Sequence, residues 1–116
     1  MPEQTVLDVL KAARALIADP ERWTRGTDAR NGHVLPVDPR DTDATSWCPI
    51  GACFRVSPVR ASAAMRELSW GLPKSWDYGH RWPLANWNNA PRRTHRAILR
   101  RFDTTIARLE KEAAHA

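Results

Sequence analysis

Cys48 stands directly before Pro49 in the run Thr45-Ser46-Trp47-Cys48-Pro49-Ile50-Gly51-Ala52-Cys53-Phe54. Proline suits the first position of a helix, where its missing N–H would be unpaired anyway, so Cys48 is expected at the N-cap. A thiol there feels the positive end of the helix dipole, which favours thiolate. With His80 or His95 as base and Asn88 as the orienting group, Cys48 would complete a Cys-His-Asn arrangement for acyl transfer. Two features oppose that chemistry. Pro49 removes a backbone N–H that an oxyanion hole would use, and no local signature of a cysteine hydrolase surrounds the thiol. The competing expectation is a small buried residue between Trp47 and Ile50. On balance the residues point away from an enzyme.

A second constellation is cationic. Arg92, Arg93, Arg96, Arg100 and Arg101 fall within ten residues, with His95 among them. On one helix, Arg93, Arg96 and Arg100 share a face at i, i+3, i+7 spacing. Such a face can track phosphates or dock on an acidic protein groove. The plainer expectation is a solvated face, partly balanced by acids of the first helix such as Asp8. The whole chain carries a net charge of +5. Residues 1–91 hold 11 Lys/Arg against 10 Asp/Glu, and residues 92–116 hold 7 against 3. The excess is therefore concentrated in the last quarter.

The third constellation is aromatic. Six tryptophans occur in 116 residues: Trp23, Trp47, Trp70, Trp76, Trp82 and Trp87. With only two Phe and two Met to fill a core, some of them must be buried. Trp47 and Trp87 are the expected core residues. Trp76, Tyr78 and Trp82 lie in the loop Leu72-Pro73-Lys74-Ser75-Trp76-Asp77-Tyr78-Gly79-His80-Arg81-Trp82 and are the expected surface residues. Exposed Trp, Tyr and Arg together make interface hot spots, and they also stack on unpaired bases. The competing expectation is a loop pinned to the body by its aromatics.

Little else in the chain suggests chemistry. Cys48 and Cys53, five apart on a helix, would point about 140° apart, which argues against a disulfide between them. The four histidines are scattered, and Asp41-x-Asp43 lacks the glycine and the glutamate of a calcium loop, so no metal or cofactor is expected. No stretch is apolar enough for a membrane span, and no basic, apolar leader opens the chain. The expectation is a cytoplasmic protein with reduced thiols.

The elements that must position these residues follow from hydrophobic periodicity. Val6, Val9, Leu10, Ala13 and Ile17 predict a first helix over residues 5–18, capped by Thr5 and ended by Asp19-Pro20. Asn31-Gly32 predicts a turn before the short run His33 to Val37, which leaves room for a small β-hairpin near residues 30–38. Pro36 keeps that run off a central strand position. Pro49 opens a short second helix, and a third is expected over residues 58–70 with Gly71 as its stop. Residues 83–88 suit a short helical turn. Ile98, Phe102, Ile106 and Leu109 mark a last helix over residues 92–113, the clearest amphipathic signal of the chain. With 42% hydrophobic and 27% charged residues in one domain-sized length, residues 1–116 read as a single all-α domain of four to five helices.

Trp47-Cys48-x-x-Gly51-Ala52, the Trp87-Asn88 pair, and Arg93-Thr94 opening a helix with Phe102-Asp103 together resemble a family of small bacterial and bacteriophage proteins. The pattern begins with a helix like that of Val6 to Ile17 and a tryptophan like Trp23, and it covers most of the chain. It commonly carries an aspartate after the Trp-Asn pair, where this chain has Asn89. The resemblance implies no established activity. It implies a bacterial or phage source, in which an accessory or inhibitor role is at home.

The leading expectation is a non-enzymatic interaction protein whose basic last helix and Trp76–Trp82 loop engage an acidic protein. A nucleic-acid-binding module on the same arginine face stands second, and a cysteine-dependent hydrolase or transferase at Cys48 third. No oligomeric state is implied.

Overall fold

Thr5 opens the first helix with a capping box. Its Oγ1 accepts from the Asp8 N–H at 3.1 Å, and Asp8 Oδ2 accepts from the Thr5 N–H at 2.9 Å. Those bonds to Thr5 hold the Asp8 carboxyl below its ordinary range. Helix α1 follows over Val6–Leu16 and buries Val9, Leu10 and Ala13 on one side. Its chain direction then changes through a 3-10 turn at Pro20–Arg22, capped by Asp19. The computed structural model describes residues 4–73 and 81–115. Within them lie five helices and one two-stranded antiparallel sheet.

Strand β1, Ala29–Asn31, pairs with β2, Ala44–Trp47, in the register Ala29 to Trp47 and Arg30 to Ser46, with an irregularity after Arg30. The small hairpin expected near residues 30–38 forms as a short antiparallel reversal, while the two-stranded sheet itself is completed from further along the chain. In that reversal, Asn31 Oδ1 accepts from the N–H groups of His33 and Leu35, at 2.9 and 3.1 Å. The returning run makes one bridge, Arg30 to Pro36, because Pro36 has no N–H for a ladder. The strand that completes the sheet is Ala44–Trp47, which turns Ala44, Ser46 and Trp47 inward.

β2 runs straight into helix α2, Pro49–Val56, with Cys48 as its N-cap. Gly51 in its first turn has a steric reason. A Cβ built there would lie 1.8 Å from the carbonyl oxygen of Asp28, so only glycine lets the helix meet the backbone before β1. Helix α3, Ala61–Leu68, ends at Ser69, with Trp70 just beyond it and Gly71 at φ +82°. Helix α4, Arg81–Asn88, is a full element where a short turn was expected. Helix α5, His95–Ala114, starts three residues later than its periodicity suggests, because Thr94 caps it: Thr94 Oγ1 accepts from the Ala97 N–H at 3.1 Å.

One apolar cluster holds these elements together. It joins Val9, Leu10, Ala13 and Ile17 with Ile50, Ala52 and Cys53, with Leu68 and Leu84, and with Ile98 and Phe102. Across the α1–α5 seam, Arg14 Nε meets Asp103 Oδ1 at 2.7 Å and Lys11 meets Glu110 at 3.4 Å. Among the described residues, no helix is long and apolar enough to cross a membrane.

Candidate functional site

Cys48 occupies the N-cap expected of it, and its sulfur is fully engaged there. The Gly51 N–H donates to Sγ at 3.3 Å, and Sγ stands 4.0 Å from Asp28 Oδ1. The residue is 4% exposed. Burial pushes the thiol up to about 12, and the nearby Asp28 charge adds to the rise. Desolvation thus outweighs the helix-end stabilisation of a thiolate. Cys53, behind it, is fully buried and shifted in the same direction.

Beside Cys48 is a polar cleft of about 330 Å³ lined by Gly26, Asp28, Arg81, Asn88 and Asn89. Arg81 Nη2 closes on Asp28 Oδ2 at 2.5 Å. Asn88, 1% exposed, accepts from Trp23 Nε1 at 2.8 Å and donates to the Thr24 carbonyl at 3.2 Å. It therefore ties α4 to the segment after the 3-10 turn, and its bonds go to Trp23, Thr24 and Asn89. Asn89 Oδ1 accepts from the Gly26 N–H at 2.9 Å and from Asn88 Nδ2 at 3.3 Å, two bonds that an aspartate would accept equally. His95 Nε2 lies 2.7 Å from the Ile17 carbonyl, with its ring against Trp23. His80, Trp76, Tyr78 and the side chain of Trp82 lie outside the described residues. Among the described residues, no group of three or more His, Cys, Asp or Glu side chains is placed to hold a metal ion.

The arginine run divides into two kinds. Arg93 donates through Nε to the Trp87 carbonyl at 2.9 Å, and its guanidinium carbon lies 4.2 Å from the Trp87 ring centre. Arg101 donates to the carbonyls of Leu68, at 2.6 Å, and of Trp70, with its guanidinium carbon 5.3 Å from the same Trp87 ring. Burial, and then the neighbouring Arg93 charge, lower the Arg101 pKa. These two arginines are tied into the body. Arg92, Arg96 and Arg100 are exposed and make no ion pair among the described residues.

Asp8, the first-helix acid expected to balance them, is committed elsewhere, and so are the acids of α5 itself. Asp8 serves its own cap, Asp103 and Glu110 pair with Arg14 and Lys11, and Glu112 pairs with Arg108. The ion pairs of α1 and α5 run from α1 bases to α5 acids, opposite to the expected direction. Among the described residues, that arrangement leaves Arg96 and Arg100 of α5 without an ion pair.

Next to Arg100 a groove of about 350 Å³ opens between Trp70 and Trp87, with Ala97, Arg101, Thr104 and Arg108 along α5. Trp70 is 69% exposed. Sequence reasoning placed the surface aromatics in the 76–82 loop and passed over Trp70. The available signal was Gly71: a residue just before a helix-stopping glycine lies past the last buried turn. Trp87, expected in the core, is half-buried and forms one wall of this groove.

Residues 1–108 match DUF6197, described as a family of unknown function. The chain belongs to that family. No curated protein and no solved structure matches it. Membership covers all the elements described above except the end of α5. The Cys48–Gly51 helix start, the Asn88 tie and the Trp70–Trp87 groove all lie within the matched residues.

Proposed function

We propose that this protein is a non-enzymatic interaction protein that binds an acidic protein partner through the basic surface of α5. The observation that carries this reading is the set of exposed arginines Arg96 and Arg100 on α5, with Arg92 just before it, which make no ion pair among the described residues while the nearby acids are taken by Arg14, Lys11 and Arg108. Uncompensated like charge on one surface repels itself in the free protein and is relieved by a partner of opposite sign. The buried, protonated Cys48 thiol supports a non-enzymatic reading over a cysteine nucleophile. Two free, buried thiols agree with a cytoplasmic setting. The resemblance to bacterial and bacteriophage proteins favours an accessory role, such as inhibition of a host system.

The test is capture of partners from a bacterial lysate by the tagged protein, with and without nuclease, alongside the double variant Arg96→Glu/Arg100→Glu. The expected result is a discrete protein retained after nuclease and lost, by at least about tenfold in affinity, from a variant whose melting temperature is unchanged. A partner retained equally by the variant, or no partner at all, overturns the proposal. Bound material that disappears with nuclease would favour a nucleic-acid module, with binding that weakens steeply as salt rises.

A further inference from the structure

The Trp70–Trp87 groove differs from an ordinary exposed apolar spot in how firmly it is built. Isolated surface hydrophobes are common and need no explanation. Trp70, however, has its carbonyl held by Arg101 and the Arg108 guanidinium 5.4 Å from its ring centre. Arg108 is itself fixed by Glu67 at 2.9 Å and by Glu112 at 3.4 Å. The opposite wall, Trp87, carries Arg93 and Arg101 against its ring. Both rings therefore belong to a rigid frame while one of them stays largely in water. Large, preorganised aromatics bind with little further loss of side-chain entropy.

The groove's chemistry selects its occupant. Ala97 and Thr104 also line the groove, and its volume of about 350 Å³, at the small end of ligand pockets, admits an aromatic side chain. Its rim is cationic, with exposed Arg100 making no ion pair among the described residues and Arg96 one turn away. A phosphate is gripped best by a free guanidinium fork. Arg101 has already spent two of its nitrogens on the carbonyls of Leu68 and Trp70, and Arg93 has spent Nε on that of Trp87. Their charge persists, while Arg96 and Arg100, exposed at the rim, keep guanidinium forks that match a carboxylate as well as a phosphate. Positive charge around an aromatic slot suits carboxylates flanking a hydrophobic anchor.

We infer that the groove between Trp70 and Trp87 is an anchor pocket for a single aromatic side chain flanked by carboxylates in an acidic polypeptide segment. This inference rests on the interaction reading above and names the feature of the partner that is recognised. The carboxylates face Arg96 and Arg100, and the aromatic ring enters between the two indoles.

The experiment uses the full chain and two synthetic peptides of about twelve residues. One is rich in Asp and Glu around a single Phe, and the other is identical with Ser in place of Phe. Calorimetric titration gives affinities, and the indole N–H resonances report where each peptide sits. The Phe peptide is expected to bind at least about tenfold tighter and to shift the Trp70 and Trp87 resonances. Trp70→Ala should erase that preference, and Trp70→Phe should restore much of it. Circular dichroism should show both variants folded. If both peptides bind wild type and Trp70→Ala alike, while Arg96→Glu/Arg100→Glu binds neither, the anchor pocket is wrong and the basic-surface reading stands. If neither peptide binds wild type, both fall. If a thymidine oligonucleotide binds tighter than the Phe peptide and depends on Trp70, the groove stacks bases, and the inference is overturned.

Discussion

Four of the described tryptophans carry an arginine over the ring, and two of them, Trp47 and Trp70, do opposite things. Trp47 lies at the end of β2 with Arg55 5.5 Å from its ring centre, and it is 3% exposed. Its indole N–H donates to the Pro39 carbonyl at 2.9 Å, and Arg55 donates to the Asp41 carbonyl at 2.8 Å. Trp70 lies past the end of α3 with Arg108 at a similar distance, yet most of its surface meets water. The two regions use the same residue types. They differ in whether the chain itself supplies the covering atoms. Around Trp47, Cys48 and Gly51, strand, helix and loop converge, and every buried side-chain nitrogen and oxygen among the described residues has a partner. Around Trp70 and Trp87, the frame is braced from behind while the front is left open and cationic. A recognition surface in this protein is thus a place where bracing is complete and covering is not.

The contrast can be broken most severely at Gly51. Gly51→Ala places a methyl group inside the van der Waals radius of the Asp28 carbonyl, so α2 or the backbone before β1 must move. A loss of about 4 kcal/mol or more is expected, enough to leave little folded protein, and urea denaturation would measure it. A variant as stable as wild type would mean that this junction is softer than its geometry.

The tryptophans themselves sharpen the comparison. Trp47→Ala should cost about 3–5 kcal/mol by opening a cavity in the core. Trp70→Ala should cost under about 1 kcal/mol, since its ring is mostly solvated already. Equal losses at the two positions would remove the distinction between a covered and an open aromatic.

The gentlest probe is Cys48 at neutral pH. Its thiol, raised to about 12 by burial, should alkylate in the native state far more slowly than a free thiol. Fast modification by iodoacetamide at pH 7.5 would return the nucleophile reading. The same shift has a sign in the pH dependence of stability. Above pH 9 the unfolded chain releases the thiol proton while the folded chain keeps it, so stability falls as pH rises from about 9 towards 12. Cys53, shifted in the same direction, steepens that fall. Cys48→Ser/Cys53→Ala should melt with less dependence on pH in that range.

Much of this was legible in the residues. Thr5 and the Val9–Leu10–Ala13 stripe announce α1, and Ile98 and Phe102 announce α5, because caps and amphipathic spacing act within one turn or two. Cys48 before Pro49 marks the N-cap for the same reason. The strand partner of β1 was not legible. Residues 33–37 and 44–47 both meet β1, the first through one bridge at Pro36 and the second as the paired strand, and nothing in their spacing ranks the two. The state of each arginine was equally hidden. Arg93 and Arg100 look alike in sequence, and only the folded chain brings the Trp87 carbonyl to one and leaves water around the other.

By itself, then, the sequence determined the first and last amphipathic helices, the Thr5 and Cys48 caps, the Gly71 stop and the surplus of positive charge near the end of the chain. All of these depend on interactions between residues a few positions apart. The tertiary structure alone decided that Asp103 and Glu110 would be spent on α1, that Cys48 would be buried beside Asp28, and that Trp70 would face Trp87 across an open groove. Those outcomes join residues far apart in the chain, and only packing in three dimensions chooses which of many chemically equivalent partners meet.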